Sequence, residues 1–393
     1  MRRRAPGGFV LPMVVIALAV MGVLAIAILT TSGDEREASL AVQEGTRSFY
    51  AADAGLNHVV AQWPDSSYDN RVAAAGSSYT FAWRTLPENG ATYRAVLQRL
   101  SAGGPISLTV DGRSASARRG LRTVQVALTV SSSFKYAVIG DADLKFSGGG
   151  TDSWDSALGV YGGANVATNG DIYSNGTISQ LSGSTSINGD AQAGTTIVAG
   201  GCAKVHGTIC AVGQPLVPLA AESCPSGFSP AVDIPGGAGI TYNPATGVLS
   251  VSGGKTLTLD YSHTPYRFSN VTFSGSSILT FAGTVQHEDI YVSGTLNLSG
   301  GTIANPSGKA PNLSIWGCGA DASNWTISGG SGAFFAVHAP NHQVTLSGGG
   351  AIYGGLVVRS LVNSGGSQIH YDEALGRTGV LVLMPGSWTE VAH

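Results

Sequence analysis

From Phe9 to Thr31 the chain runs twenty-three residues without a charge, and beyond it the hydrophobic positions thin to a stripe. As a helix the first run is roughly 35 Å long, enough to cross the ~30 Å hydrocarbon layer of a bilayer. Downstream, Val42, Phe49, Ala52, Leu56, Val59 and Trp63 recur at spacings of 7, 3, 4, 3 and 4, the signature of one apolar helical face. Pro64 then stops the pattern. The two runs predict one rod of about 55 residues, apolar all round over 9–31 and amphipathic over 32–64. A greasy face on the second half needs something to cover it.

The pattern then changes from helical to alternating. Over 65–130, Tyr79 to Trp83, Tyr93 to Leu97, Ile106 to Val110 and Leu121 to Val130 read as strands, and Asn89-Gly90 is a good hairpin turn. A small antiparallel sheet would have one apolar face, which the Phe49 to Trp63 stripe can cover. From about Phe134, short apolar or Ser/Thr-rich runs recur between Gly170, Gly176, Gly183, Gly189, Gly194 and Gly200. Helix is excluded there, since each glycine costs about 1 kcal/mol relative to alanine. Short strands that turn at each glycine and stack their apolar faces predict a parallel β-solenoid over 131–393. Six prolines between Gln214 and Pro244 interrupt it and read as a loop excursion over 214–244. The tail, Gly379 to Met384 and Gly386-Ser387-Trp388, is expected as a terminal strand or cap of the solenoid. The fold class is therefore mainly β, with a long N-terminal transmembrane helix, a small antiparallel head and a parallel β-solenoid.

Charge orients the chain. Arg2, Arg3 and Arg4 precede the apolar run and favour a cytoplasmic amino terminus, with everything past Ser32 outside. From Ser131 onward eight basic residues face fifteen acidic ones, which argues against nucleic acid as a partner. Cys202, Cys210, Cys224 and Cys318 all lie on the outer side, where an even number favours disulfides. Three pairings are open. The eight-residue separation makes Cys202 with Cys210 the first choice, leaving Cys224 with Cys318. Zinc is the weaker reading, because no CxxC pair accompanies them.

The leader carries a further signal. Residues 1–8 are short and basic and end in Gly7-Gly8, directly before Phe9. This junction resembles that of type IV prepilins, which are cut after a glycine on the cytoplasmic face. Pro12 suits a cut between Gly8 and Phe9. It would then be the fourth residue of the helix, where no intrahelical hydrogen bond is lost, instead of an interior breaker costing ~3 kcal/mol. A signal peptide would show a shorter core and an Ala-x-Ala site. An uncut signal anchor is the plain alternative.

Leader, junction and apolar helix, followed by SFYAADAGLNHVV over 48–60, resemble the N-terminal region of PilX-type minor pilins. In that family an aromatic residue precedes an Ala-rich, acidic Ala-Gly stretch, matched here by Phe49, Tyr50, Ala51, Ala52, Asp53, Ala54 and Gly55. The resemblance covers about the first 65 residues. It implies a prepilin peptidase as processing partner at Gly8 and Phe9, and other pilin-like subunits as assembly partners through Phe9, Met13, Val42, Phe49, Leu56, Val59 and Trp63. Most major pilins carry a glutamate where this chain has Met13. Its absence, shared with some minor pilins and tip-capping pseudopilins, points to a tip or initiating subunit. Residues 333–375 are similar to the closing coils of glycine-rich, PilX-associated surface proteins.

Candidate chemistry remains to be weighed. Parallel β-helices include polysaccharide lyases and hydrolases, whose carboxylates converge on one face. Here Asp141, Asp143, Asp152, Asp155, Asp171, Asp190, Asp260, Glu288, Asp289, Asp372 and Glu373 are scattered and read as turn residues. His338 and His342 have helical metal-ligand spacing, but Pro340 between them and strand-forming neighbours exclude the helix. His370 and Asp372 share a strand face and are expected to pair. No phosphate loop, nucleophile elbow or cofactor motif is present, so no enzymatic activity, metal or cofactor is expected. A rigid solenoid bearing Tyr161, Tyr173, Tyr242, Tyr261, Tyr266, Tyr291 and Tyr353 among Ser, Thr and Asn is a candidate adhesive surface for glycans or another surface, but aromatic residues on strands are usually core, so no binding residue is named. The reading is a non-enzymatic minor pilin-like subunit, single-pass in the cytoplasmic membrane and then displayed on a filament. The alternatives are an anchored adhesin and a polysaccharide-active enzyme.

Overall fold

The computed structural model describes residues 10–63, 68–72, 74–101, 104–115, 120–285, 287–319, 323–328 and 333–391. They form one long helix and mostly β structure in several sheets. The chain divides into two units, Met1–Thr129 with Leu381–His393, and Val130–Val380.

The first unit is built on the long helix α1 (Val10–Gln62), followed by one short helical turn at Tyr68–Arg71. Its sheet runs antiparallel through Ser78–Thr80, Thr92–Arg99, Ile106–Arg113 and Leu121–Ser131, with Arg84–Thr85 also on the second of these. Strand alternation places Ala95, Leu97, Leu108, Val110, Val124, Val126 and Leu128 on one buried face. The distal part of α1 covers that face. The Asn89-Gly90 turn forms as its sequence demands: Gly90 takes φ 68°, and Asn89 Oδ1 accepts the Ala91 N–H.

The tail departs from expectation. Val380–Leu383 and Thr389–Val391 pair with Leu121–Ser131, so the chain from Leu381 onward belongs to the first unit and does not cap the second. Ser387 Oγ accepts the Ala127 N–H at 3.1 Å, and Arg122 reaches Glu390 at 3.0 Å. The second unit is thus an insertion within the sheet of the first.

In the second unit most adjacent strands pair in parallel across a stack of rungs, with Ile240–Asn243 and Val166–Ala167 antiparallel to their neighbours. Ile172 pairs with Ala191, Ala191 with Cys210, and Val337 with Leu356, each nineteen residues apart. Inward residues such as Ile172, Ile178, Leu257, Phe273, Ile315, Trp325 and Leu361 form one continuous core. Asparagine and aspartate stitch neighbouring rungs. Asp171 accepts the Asp190 N–H at 2.7 Å, Asp190 accepts those of Thr208 and Ile209, and Asn270 accepts that of Thr295.

The order of rungs does not follow the chain. Val138–Phe146, the first strand, lies in the middle of the stack, between Ile172–Ser174 on one side and Leu356–Asn363 on the other. The chain builds outward from it to Cys210–Ala211 at one end. It then crosses to the other end, at Ile240–Asn243, and builds back to the middle.

The Pro-rich excursion makes this crossing. The Tyr173 hydroxyl donates to the Pro215 carbonyl, and Asn175 holds both polar backbone groups of Val217 at 2.8 Å. Glu222 bridges to Cys318, Cys224 is disulfide-bonded to Cys318, and Ser229 exchanges hydrogen bonds with the backbone of Arg267. The segment is a strap laid across the rungs. The second disulfide, Cys202–Cys210, closes a local loop.

Candidate functional site

Gly8 and Phe9, the residues expected at the processing junction, lie outside the described residues, as do the leader and Pro64. Met13 is 66% exposed, and the large apolar side chains from Val14 to Leu29 are open on all sides of α1. A helix that is apolar all round belongs in lipid or among other helices. Its hydroxyls are already satisfied, since Thr31 Oγ1 donates to the Ala27 carbonyl at 2.8 Å and Ser32 Oγ to that of Ile28. They need no water. By length and composition this is the one candidate membrane span among the described residues.

Past Asp34 the helix acquires its own partner. Ser48 Oγ donates to the Gly120 carbonyl and accepts the Ser114 N–H at 3.0 Å. Ala51, Ala52 and Gly55 are buried against the sheet at very close approach. A Cβ on Gly112 would overlap the Ser48 carbonyl and the Ala52 nitrogen, and one on Gly55 would enter the Tyr93 ring. The small residues of 51–55 therefore set how closely helix and sheet meet.

This narrows the expected assembly stripe. Val59 and Trp63 are only 1% and 3% exposed, packed inside their own unit, because the sheet offers the apolar face they need. They are not open to a neighbouring subunit. Leu56 is half-buried, and Phe49 lies edge-on to Trp388 of the returning tail at 5.9 Å. Val42, 70% exposed, and Tyr50 remain open. The Trp388 contact carried no local signal, since it depends on where the tail docks.

In the second unit the expected carboxylates are engaged with nearby groups. Asp141 accepts from Asn175, Asp143 from Thr177 and Ser179, Asp260 from the Ser262 N–H, and Glu373 from Ser153. Asp155 pairs with Arg377 at 2.6 Å. Asp372, fully buried, accepts backbone N–H groups of Ser156, Ala374 and Ala310, yet burial still raises its pKa. Glu288 faces the core. Desolvation outweighs the nearby Thr264 hydroxyl and pushes it up to about 8, so it is largely neutral at pH 7.

The histidines sort differently from expectation. His370 pairs not with Asp372 but with Asp152, at 2.6 Å, because the register sets the two residues side by side on adjacent strands. Asp372 points the same way but is occupied by the backbone donors just named. Burial raises the Tyr161 pKa, and the bond its hydroxyl donates to the other Asp152 oxygen at 2.7 Å raises it further. A phenol that donates to a carboxylate is held protonated, and so is no nucleophile. His287 bridges Asp289 and the Pro311 carbonyl, and the Trp316 indole also donates to Asp289. Burial alone would raise Asp289, but these partners lower it. His342 is buried beside Ser323, while the His338 ring lies tilted against Trp316. Among the described residues no group of three or more His, Cys, Asp or Glu side chains could hold a metal ion.

Of the tyrosines, Tyr173, Tyr261 and Tyr266 are core residues, while Tyr161, Tyr242, Tyr291 and Tyr353 are half-buried. Tyr291, Trp316 and His338 occupy paired positions on three successive strands and form an outward row.

Residues 268–378 match a family described as a domain of unknown function (DUF7305), a stretch well short of half the chain. No curated protein matches. Among solved structures, the chain is similar to the competence-associated pilin ComZ from Thermus thermophilus at 13% identity and a TM-score of 0.32, over 88% of this chain and 97% of that one. A likeness at that level carries no argument about what this chain does.

Proposed function

We propose that the protein is a non-enzymatic, membrane-inserted pilin-like subunit whose head carries an inserted parallel β-solenoid. The observation that carries this reading is the division of α1. Its first half is apolar on every side, and its second half is fixed to its own sheet from Ser48 onward. Such a helix can rest in a bilayer and later pass its apolar half to neighbouring helices, while the folded unit stays outside. The repeated parallel pairing of successive strands, seventeen to twenty-nine residues apart over residues 248–372, supports the solenoid. Met13, in place of a charge-neutralising glutamate, supports a tip or initiating position. Carboxylates committed to local hydrogen bonds support a display role over a polysaccharide-cleaving one.

Mass spectrometry of the mature amino terminus, in a membrane that processes prepilins, tests the reading. The expected start is Phe9. A chain that keeps Met1 there overturns it in favour of a plain anchored surface protein. Changing Gly8 to a bulky residue is expected to leave uncut precursor.

A further inference from the structure

The first rung of the returning half of the stack has three strands, Val248–Val251, Thr256–Asp260 and Tyr266–Phe268. Each pairs in parallel on its inner side, with Asn270–Phe273, Ile278–Ala282 and Glu288–Val292 respectively. Their outer sides differ. Ile240–Asn243 covers the first strand, and Ser229 of the strap hydrogen-bonds both backbone groups of Arg267 in the third. Among the described residues no strand pairs with the outer side of Thr256–Asp260, which at five residues is the longest strand that ends a sheet of this unit. The far end of the stack is blunted, since its edge strands Thr196–Ile197 and Cys210–Ala211 are two residues long.

The open groups follow from the register. In a parallel pair alternate residues give both their N–H and their C=O to the same neighbour. The Ile278 N–H is taken by the Lys255 carbonyl at 2.9 Å, so Lys255, Leu257 and Leu259 serve the inner strand. The backbone groups of Thr256, Thr258 and Asp260 point the other way. Those of Asp260 are met by the Tyr266 hydroxyl, at 3.0 Å each. Those of Thr256 and Thr258 meet no partner among the described residues, and both residues are exposed.

The strand's own sequence says what fits. Lys255 and Asp260, both exposed, bracket the uncharged Thr-Leu-Thr-Leu. A copy of the same strand laid antiparallel about Thr258 sets Thr256 opposite the partner's Asp260 and brings Lys255 next to that carboxylate, at both ends of the pair. Parallel self-pairing would set lysine beside lysine. Leu257 and Leu259 are 0% exposed on the core side, so the pairing disturbs no packed side chain. Val232, 88% exposed, lies at the same end of the stack, because its neighbour Asp233 reaches His263, just past the strand, at 3.7 Å. A second stack arriving there would cover it.

We propose that Thr256–Asp260 is a docking edge for a second copy of this chain, paired antiparallel about Thr258. The two stacks then meet end to end through the same residues on both sides, so the contact closes as a dimer and does not propagate. It uses no residue of the first unit and does not depend on the pilin reading.

The test uses the full chain in detergent micelles. All four native cysteines are disulfide-bonded, so one introduced thiol reports one position. In the proposed pair the two residues 258 have Cα atoms about 5.5 Å apart, within reach of a disulfide, and the two residues 256 about 14 Å apart. Under mild oxidation Thr258→Cys is expected to give a disulfide-linked dimer on a non-reducing gel, and Thr256→Cys to stay monomeric. Adding Lys255→Glu to Thr258→Cys is expected to slow the linking about threefold or more. Three results each overturn the proposal: no linked dimer of Thr258→Cys, equal linking at both positions, or linking indifferent to Lys255→Glu. A foreign strand as the true occupant would give the first. N-terminal processing is read separately, so failure here leaves the reading of the helix untouched.

Discussion

Cys224, in the middle of the strap, is bonded to Cys318, ninety-four residues further along the chain and on a central rung of the stack. The crossing segment is therefore tied to the rungs it spans and not only to its two ends.

Closing a loop of that size removes about 4–5 kcal/mol of chain entropy from the unfolded state, against about 2–3 for the eight-residue Cys202–Cys210 loop. Replacing Cys224 and Cys318 with serine should lower the urea midpoint of the full chain more than replacing Cys202 and Cys210. Equal losses would mean that the strap contributes little beyond a local link.

Glu288 makes stability fall as pH rises. Its folded pKa of about 8 lies above the ordinary 4.5, so between those values the unfolded chain has released a proton that the folded one still holds. The contribution is full below about pH 4.5 and is lost by about pH 8. Melting temperature measured across this window should decline in the parent and flatten in Glu288→Gln. A parallel decline in both would assign the effect to another group.

His338 acts in the opposite direction. Burial holds it at about 4 against an ordinary 6.5, so its contribution is present above pH 6.5 and is lost as pH falls toward 4. NMR titration of the ring should show a neutral imidazole at pH 5.5. A protonated ring at that pH would mean that water reaches the buried imidazole.

Gly112 faces the helix where no side chain fits. Gly112→Ala should destabilise the first unit by about 2 kcal/mol or more through overpacking against Ser48 and Ala52, read from hydrogen exchange in α1 and its sheet. Gly33→Ala, where an added methyl meets nothing, is the control. Equal exchange in the two variants would remove the close contact from the account.

The helix was legible because its information is local. The charge-free run and the 3–4 spacing to Trp63 need no knowledge of the partner. The strap was legible as an interruption, since six prolines cannot continue short strands, but its route was not. Parallel pairing joins residues that the local pattern leaves unspecified. Thus His370 could be paired on paper with Asp372, two positions away, while its actual partner, Asp152, is 218 residues distant. The tail failed for the same reason. Val380–Leu383 has the texture of any strand, and only its docking on Leu121–Ser131 decides which unit owns it. Among the assembly residues, Val59 and Trp63 look alike for a foreign helix or for their own sheet.

The mid-stack position of Val138–Phe146 has a consequence for biosynthesis. Its second neighbour, Leu356–Asn363, is made last of all the rungs of its sheet. Val138 and its partner Leu356 are 218 positions apart, so at about 5–20 residues per second that flank stays unpaired for about 10–40 seconds of translation. An open parallel edge invites pairing with another nascent chain. The interval before Leu356–Asn363 is made is therefore the one in which this edge is most exposed to aggregation, and the newly completed last rung ends that interval.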